Sequence, residues 1–278
     1  TANVELDYTA ALTGLAGSAV PSGATVTVTA SEAGSGTLNL ALDWNGASVS
    51  IPVTAEETPE YLCYFDFTTG SNDDPSVEDS TGNATCTMEG FAWDETSGFT
   101  ENGLKTTASG SSTEMVTISG FDLSECTNGF RMHMEYAGFA STWDRSRFFQ
   151  LVDNEGTVIL DCYYNSPTAA QLRIERDSNN GGLYNDYEYM LNMTHMTMDI
   201  TCNNVATAAF DGAVSNDNGN IVLSDVLVAK QGGSATDTPF DMLALKPFQD
   251  VSKIYLMNRL DKTRLLHATL SKFWIEKL

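Results

Sequence analysis

The chain has 278 residues and carries 14 Lys and Arg against 37 Asp and Glu, a formal charge of −23. Hydrophobic residues make up 42% and aromatics 10%, which is enough for a buried core and too many for a disordered chain. A surface this acidic is repelled by phosphate backbones and anionic headgroups, which argues against nucleic-acid partners. No apolar run approaches the ~20 residues that cross a bilayer, so no membrane insertion is expected.

The charge is unevenly placed: no Lys or Arg precedes Lys105. Such a surface favours solubility and leaves a divalent cation or a neutral ligand as partner. Five cysteines (Cys63, Cys86, Cys126, Cys162, Cys202) are an odd number without a C-x-x-C pair, against a zinc site or redox motif. They are expected as free, buried thiols.

Residues 1–58 are rich in Thr, Gly and Ala and poor in aromatics. Strands are predicted over 4–12, 24–30, 37–44 and 47–54, with Val26 and Val28 alternating with threonines. Asn45-Gly46 predicts a two-residue hairpin turn, since both residues tolerate positive φ. So short a segment holds little core of its own. It reads as a small β module, Ig-like or a partial sandwich, that leans on something else as spacer or anchor. The polar stretch 55–60, with Pro59, is the expected joint.

From residue 59 to 278, short period-two segments recur. Phe130, Met132, Met134 and Tyr136 alternate with Arg131, His133 and Glu135. Segments 147–152 and 157–164 flank a hairpin loop at Asp153-Asn154-Glu155-Gly156. Leu172 and Ile174 alternate with Arg173 and Glu175; Met196, Met198 and Ile200 alternate with Thr197 and Asp199. A strand over 206–210 is expected to end in a turn at Asp211-Gly212, followed by strands at 221–229, 253–257 and 265–278. One helical stretch is predicted, at 241–248. An opening strand at Tyr61 and a closing strand at Leu278 are expected side by side. The class is all-β, and the strand count points to a sandwich.

The order of these pieces resembles laminin-G-like, concanavalin-A-like domains over about 61–278. The resemblance rests on Tyr64-Phe65-Asp66-Phe67, Asp79-Ser80-Thr81-Gly82-Asn83, Asn102-Gly103-Leu104, Arg147-Phe148-Phe149, Phe210-Asp211-Gly212 and Leu270-Ser271-Lys272-Phe273-Trp274-Ile275. It implies a jelly-roll β-sandwich. That family includes carbohydrate-binding modules, adhesion domains, appendages of viral and bacterial surface proteins, and some glycosidases. In related domains a structural calcium ion often sits where the loop after the first strand meets a distant strand.

Retaining glycosidases need two carboxylates about 5 Å apart, usually two residues apart on one strand. No such pair is evident: Ala137 is the next same-face neighbour of Glu135, and Glu175 with Asp177 runs into Asn179-Asn180-Gly181-Gly182. His133, His195 and His267 lack a recognisable nucleophile motif. The expectation is a chain that is not an enzyme. For calcium, Asp66, Asp79 and Asn83 supply oxygen ligands, although the same residues suit a side-chain-capped turn. For a sugar, exposed aromatics beside planar polar groups are sought. The candidates are Trp143 with Arg145 and Arg147, the Tyr184 and Tyr187 cluster, and Trp93.

Together these readings predict a secreted, cell-surface or virion-displayed binding or adhesion protein that recognises a glycan or surface polysaccharide. The alternative is a structural or decoration subunit of a virion, filament or surface layer that self-assembles or meets neighbouring subunits through the N-terminal module. An endo-acting glycosidase is the third reading.

Overall fold

In a computed structural model the chain divides into two compact units, Thr1–Pro59 and Glu60–Leu278. The structure describes all residues except 1–7, 23–24, 43–45, 56–58, 109–112, 125, 141–144, 167–170, 177–182, 189–193, 205–208, 217–218, 224–227, 232–233 and 236–245.

The first unit has five strands: β1 (Tyr8–Thr13), β2 (Gly17–Ser22), β3 (Thr25–Ala30), β4 (Gly34–Leu42) and β5 (Ser48–Ala55). They form a three-stranded sheet, β1-β4-β5, and a hairpin, β2-β3. The predicted first, third and fourth segments are present as β1, β4 and β5, and β3 falls on the second. Strand β2 escaped the sequence reading because Gly17 and Pro21 mask its alternation. The β4–β5 pairing ends at Ala41↔Ser48, so the connection is longer than two residues. Gly46 there has φ +70°, which glycine adopts without strain, and Asn45 lies outside the described residues.

The second unit opens with β6 (Tyr61–Asp66), β7 (Thr85–Glu89), β8 (Gly98–Thr100), β9 (Gly103–Lys105) and β10 (Met115–Ser119). Its middle holds β11 (Phe130–Ala137), β12 (Arg147–Asp153), β13 (Val158–Ser166), β14 (Gln171–Arg176), β15 (Leu183–Glu188) and β16 (His195–Asn204). It ends with β17 (Ala209–Asn216), β18 (Gly219–Leu223), β19 (Val228–Gln231), β20 (Ser234–Ala235), β21 (Val251–Leu256) and β22 (Thr269–Lys277). No α-helix occurs among the described residues, and 241–245 of the predicted helix lies outside them. The expected turn at Asp211-Gly212 is instead the interior of β17, paired with Thr201 and Ile200 of β16.

A nine-stranded sheet runs β20-β19-β15-β14-β13-β12-β21-β10-β7, and an eight-stranded sheet runs β18-β17-β16-β11-β22-β9-β8 with β6 also on β22. All pairings are antiparallel, and one continuous core lies between the sheets. From the eight-stranded sheet come Phe65, Phe130, Met132, Met134, Met198, Ile200, Phe273 and Ile275; from the other come Val116, Phe149, Leu151, Leu160, Cys162, Ile174 and Leu256. Each such side chain contributes about 1.5–3 kcal/mol by leaving water. Tyr136 is buried, and its hydroxyl donates to the carbonyl of Phe148 at 2.8 Å, joining β11 to β12. Cys63, Cys86 and Cys162 are free thiols, Cys86 half-buried and the other two buried.

The first and last strands of this unit pair as the sequence led us to expect. Tyr61, Cys63, Tyr64, Phe65 and Asp66 face Glu276, Ile275, Trp274, Phe273 and Lys272, and the Lys277 N–H donates to the Glu60 carbonyl at 2.9 Å. The class is an antiparallel β-sandwich preceded by a small β unit.

Candidate functional site

Alternation sends every second residue of β16, β11, β22 and β6 away from the core, and an irregularity where Tyr61 pairs with Glu276 brings Tyr61 to the same side as Tyr64. Registers then align these residues in three rows. One row is Thr197, Glu135, Lys272 and Asp66; the next is Asp199, His133, Trp274 and Tyr64; the third is Thr201, Arg131, Glu276 and Tyr61. Across these four strands the outward rows are polar and aromatic.

The middle row is a stack. The Trp274 and His133 rings lie 3.6 Å apart at 13°, and the Tyr64 ring lies 5.5 Å from Trp274 at 16°. Because His133 and Tyr64 flank Trp274 from neighbouring strands, both faces of the indole are occupied. Tyr61 meets Tyr64 and Trp274 edge-on. The row therefore offers ring edges and the tyrosine hydroxyls outward. Burial raises the Tyr64 hydroxyl pKa, with Lys272 opposing and Asp66 adding, so the phenol keeps its proton and can donate.

His133 Nδ1 is 2.7 Å from Asp199 Oδ1. A carboxylate only accepts, so Nδ1 carries the proton. Nε2 makes no hydrogen bond and has Glu135 Oε1 at 3.4 Å. Ser271 Oγ donates to Glu135 Oε2 at 3.2 Å, and Lys272 Nζ stands 3.7 Å from Oε1. Arg131 pairs with Glu276. The face carries four acids (Asp66, Glu135, Asp199 and Glu276) and two bases, Lys272 and Arg131, which stand beside Glu135 and Glu276.

A second polar cluster lies on the nine-stranded sheet. Asp161 of β13 stands directly opposite Glu175 of β14 and Gln150 of β12. Arg147 Nε reaches Asp161 at 2.8–2.9 Å, and its guanidinium sits 3.8 Å over the Tyr163 ring. Tyr163 donates to Glu175 at 2.7 Å. Burial pushes the Asp161 carboxyl up to about 6 even with Arg147 against it.

The residues expected to bind a ligand do not converge. Arg147 is buried in the Asp161 pair and donates to the Arg145 carbonyl at 2.6 Å; Arg145 is exposed with φ +56°. Trp143 lies outside the described residues. Tyr184 and Tyr187 both belong to β15, opposite Glu175 and Leu172, and an odd separation places the two positions on opposite faces of the strand. Trp93 packs between Phe91 (5.2 Å) and Phe99 (5.7 Å) against the core.

Of the calcium candidates, Asp79 has both carboxylate oxygens taken up by protein donors. Asp79 accepts from the backbone N–H groups of Tyr64, Thr81, Asn83 and Ala84 and from the Thr81 hydroxyl, at 2.6–3.1 Å. Burial acts to raise its pKa, but the Thr81, Tyr64 and Ala84 donors outweigh it and hold the carboxyl below its ordinary value. Asp66 caps the short 3₁₀ turn Phe67–Thr69, and Asn83 takes part through its backbone. The Asp79 carboxylate is thus the centre of a side-chain-capped turn. Among the described residues no group of three His, Cys, Asp or Glu could hold a metal.

No family model matches the sequence, and no curated protein matches it. Several solved structures are similar in fold. One is the receptor-binding domain of botulinum neurotoxin mosaic serotype C/D, at 10% identity and TM-score 0.46, over 78% of this chain and 47% of that one. Another is Trypanosoma rangeli sialidase in complex with sialic acid, at 11% identity and TM-score 0.48, over 87% of this chain and 40% of that one. A third is the T. cruzi calreticulin globular domain, at 8% identity and TM-score 0.46, over 78% and 88%. The chain thus spans less than half the length of the toxin and sialidase chains.

The expectation of a chain that is not an enzyme is corrected here: the similar structures include an enzyme, the sialidase. Facing carboxylates are present, at Asp161 and Glu175, but on two adjacent strands rather than one.

The sequence reading missed the His133–Trp274 row, although its signal was present. His133 alternates with Met132 and Met134, and Trp274 with Phe273, which assigns both to the outer face.

Proposed function

We propose that the outer face of the eight-stranded sheet binds a neutral saccharide. The observation that supports this is the alignment of Asp199, His133, Trp274 and Tyr64 in one cross-strand row between two rows that each carry a base, Lys272 and Arg131. A sugar presents hydroxyls that both donate and accept, on a ring with apolar edges. Asp199 and Glu135 accept from such hydroxyls, Lys272 and Arg131 donate to them, and Tyr61 and Tyr64 do either. Aromatic bodies with polar tips suit a surface that is half apolar and half wet. Extracellular or surface-displayed action goes with this reading.

The test is binding of the full chain to an array of neutral and sialylated oligosaccharides. Tyr64→Phe and Lys272→Met are each expected to weaken a neutral hit by about tenfold, the loss of one or two polar contacts, while Trp143→Ala leaves it unchanged. Binding abolished by Trp143→Ala and untouched by the other two would move the site to the loop before β12. Incubating the hit with the chain and assaying reducing-end release tells binding from cleavage.

A further inference from the structure

Among the described residues of the outer face, one buried side-chain atom lacks a hydrogen-bond partner: His133 Nε2. It has Glu135 Oε1 at 3.4 Å, while Nδ1, across the ring, donates to Asp199 Oδ1 at 2.7 Å. The imidazole therefore lies between two carboxylates that a ligand can reach. The Asp199 and Glu135 side chains are 39% and 32% exposed, and that of His133 only 10%. With a neutral ring the Nε2 lone pair faces a carboxylate oxygen, acceptor against acceptor, in a place closed to water. An unmade bond of this kind costs the desolvation of the group that lacks it.

A second proton removes the conflict. Nε2–H then points at Glu135, Nδ1–H stays on Asp199, and the positive ring lies flat on Trp274, 3.6 Å from an indole whose π face is negative. The other charged and titratable groups around the ring come from four strands. Beside His133 on β11 stand Arg131 and Glu135; β16 brings Asp199 and, at its exposed start, His195; β22 brings Lys272 and Glu276. Beyond β22, β6 brings Tyr61, Tyr64 and Asp66. Arg131 is taken by Glu276, and Lys272 Nζ stands 3.7 Å from the same Glu135 Oε1. Lys272 thus competes with the ring for Glu135.

We propose that His133 is a proton switch for this face. Protonated, it bridges Asp199 and Glu135 and fixes both as acceptors on either side of the ring. Deprotonated, it keeps Asp199 and releases Glu135 to Lys272 and solvent. The ligand of the switch rests on the saccharide reading above; the switch itself does not. A ligand rich in hydroxyls meets two placed carboxylates in the first state and one in the second. Binding therefore tightens as pH falls through the range in which histidine gains its charge.

Two measurements on the full chain test it. Imidazole nitrogen NMR from about pH 8 down to about pH 5 follows the three histidines, with His133→Phe and His195→Gln giving the assignment. The His133 ring is expected to carry its proton on Nδ1 at the upper end and to gain the second on Nε2. In Glu135→Gln, whose amide can donate to the neutral ring, that gain is expected to need a lower pH. In the second measurement, the array hit is expected to bind about fivefold or more tightly at about pH 5 than at about pH 8, in the wild type and in His195→Gln alike. His133→Phe keeps a ring on Trp274 without a proton to gain, and its affinity is expected to be independent of pH. If circular dichroism shows that this variant loses its fold, His133→Gln carries the same comparison. A His133 ring that keeps one charge state across the range would overturn the proposal. So would a pH dependence of binding that survives in the His133 variants. With no hit on the array the saccharide reading fails by itself, and the nitrogen shifts still decide the switch.

Discussion

Trp274 lies flat on His133, ring centres 3.6 Å apart, although one residue sits in the closing strand of the chain and the other in β11. The pair exists because β22 and β11 are neighbours in register, with Phe273 and Met134 facing inward from the same strands. Stacked rings of this kind add about 0.5–1.5 kcal/mol beyond their buried area. Trp274→Ala is therefore expected to lower stability by about 1–3 kcal/mol, and Trp274→Phe by less than about 1 kcal/mol. Denaturant unfolding monitored by circular dichroism measures both. Equal losses from the two would show that an aromatic ring stacked on His133 adds nothing at this position.

Asp79 organises the loop that returns from β6. Its carboxylate takes five donors, so Asp79→Ala leaves several backbone N–H groups unpaired and should destabilise by about 2–4 kcal/mol. The pH dependence has a definite sign. The folded carboxyl lies below its ordinary value, so its contribution is fully present above the unfolded pKa and is lost as pH falls through the folded one. Acid titration of unfolding should show a flatter acid limb for Asp79→Asn than for the wild type.

Arg147 and Asp161 form a buried pair, 7% and 1% exposed. Removing one partner strands the other charge, so Arg147→Leu should cost about 3–5 kcal/mol at neutral pH. The folded Asp161 carboxyl is raised to about 6, above its unfolded value near 4, so the folded state holds more protons in that window. This group's contribution to stability therefore falls as pH rises from about 4 to about 6. In Arg147→Leu the missing guanidinium raises the carboxyl further. The destabilisation should then shrink on acidification, as Asp161 takes a proton. Urea midpoints at pH 5 and 7 decide it; a cost independent of pH would mean that Asp161 is never charged in the fold.

Asn72 stands in for a strand. Its amide donates to the Phe99 carbonyl at 3.1 Å and accepts from the Phe99 N–H at 2.6 Å, closing the free edge of β8. Asn72→Ala should cost about 1–3 kcal/mol and speed amide exchange at Phe99 more than in the core strands. Hydrogen exchange read residue by residue is the measurement. Unchanged protection at Phe99 would reduce the two bonds to passive contacts.

Parts of this could be read before any coordinates. Met132 and Met134 against His133 and Glu135, or Phe273 against Trp274, state in two or three residues which side is core. The Asp79 turn was visible as a capped turn, and its five donors are in place. Trp93 was read as an exposed aromatic, yet Phe99, across the loop, covers it. Tyr184 and Tyr187 are close in sequence, but their odd separation within β15 puts the two positions on opposite faces.

Alternation is a local property of the chain, and for that reason the sequence alone determined an all-β class, the inward residues and the meeting of the first and last strands of the large unit. Register between distant strands is different, because it depends on how two whole sheets close on a shared core. Only that closure set Asp199 beside His133, His133 beside Trp274 and Trp274 beside Tyr64, and only it brought Asp161 opposite Glu175. A shift of one residue in any of these pairings would turn each outward row into the interior.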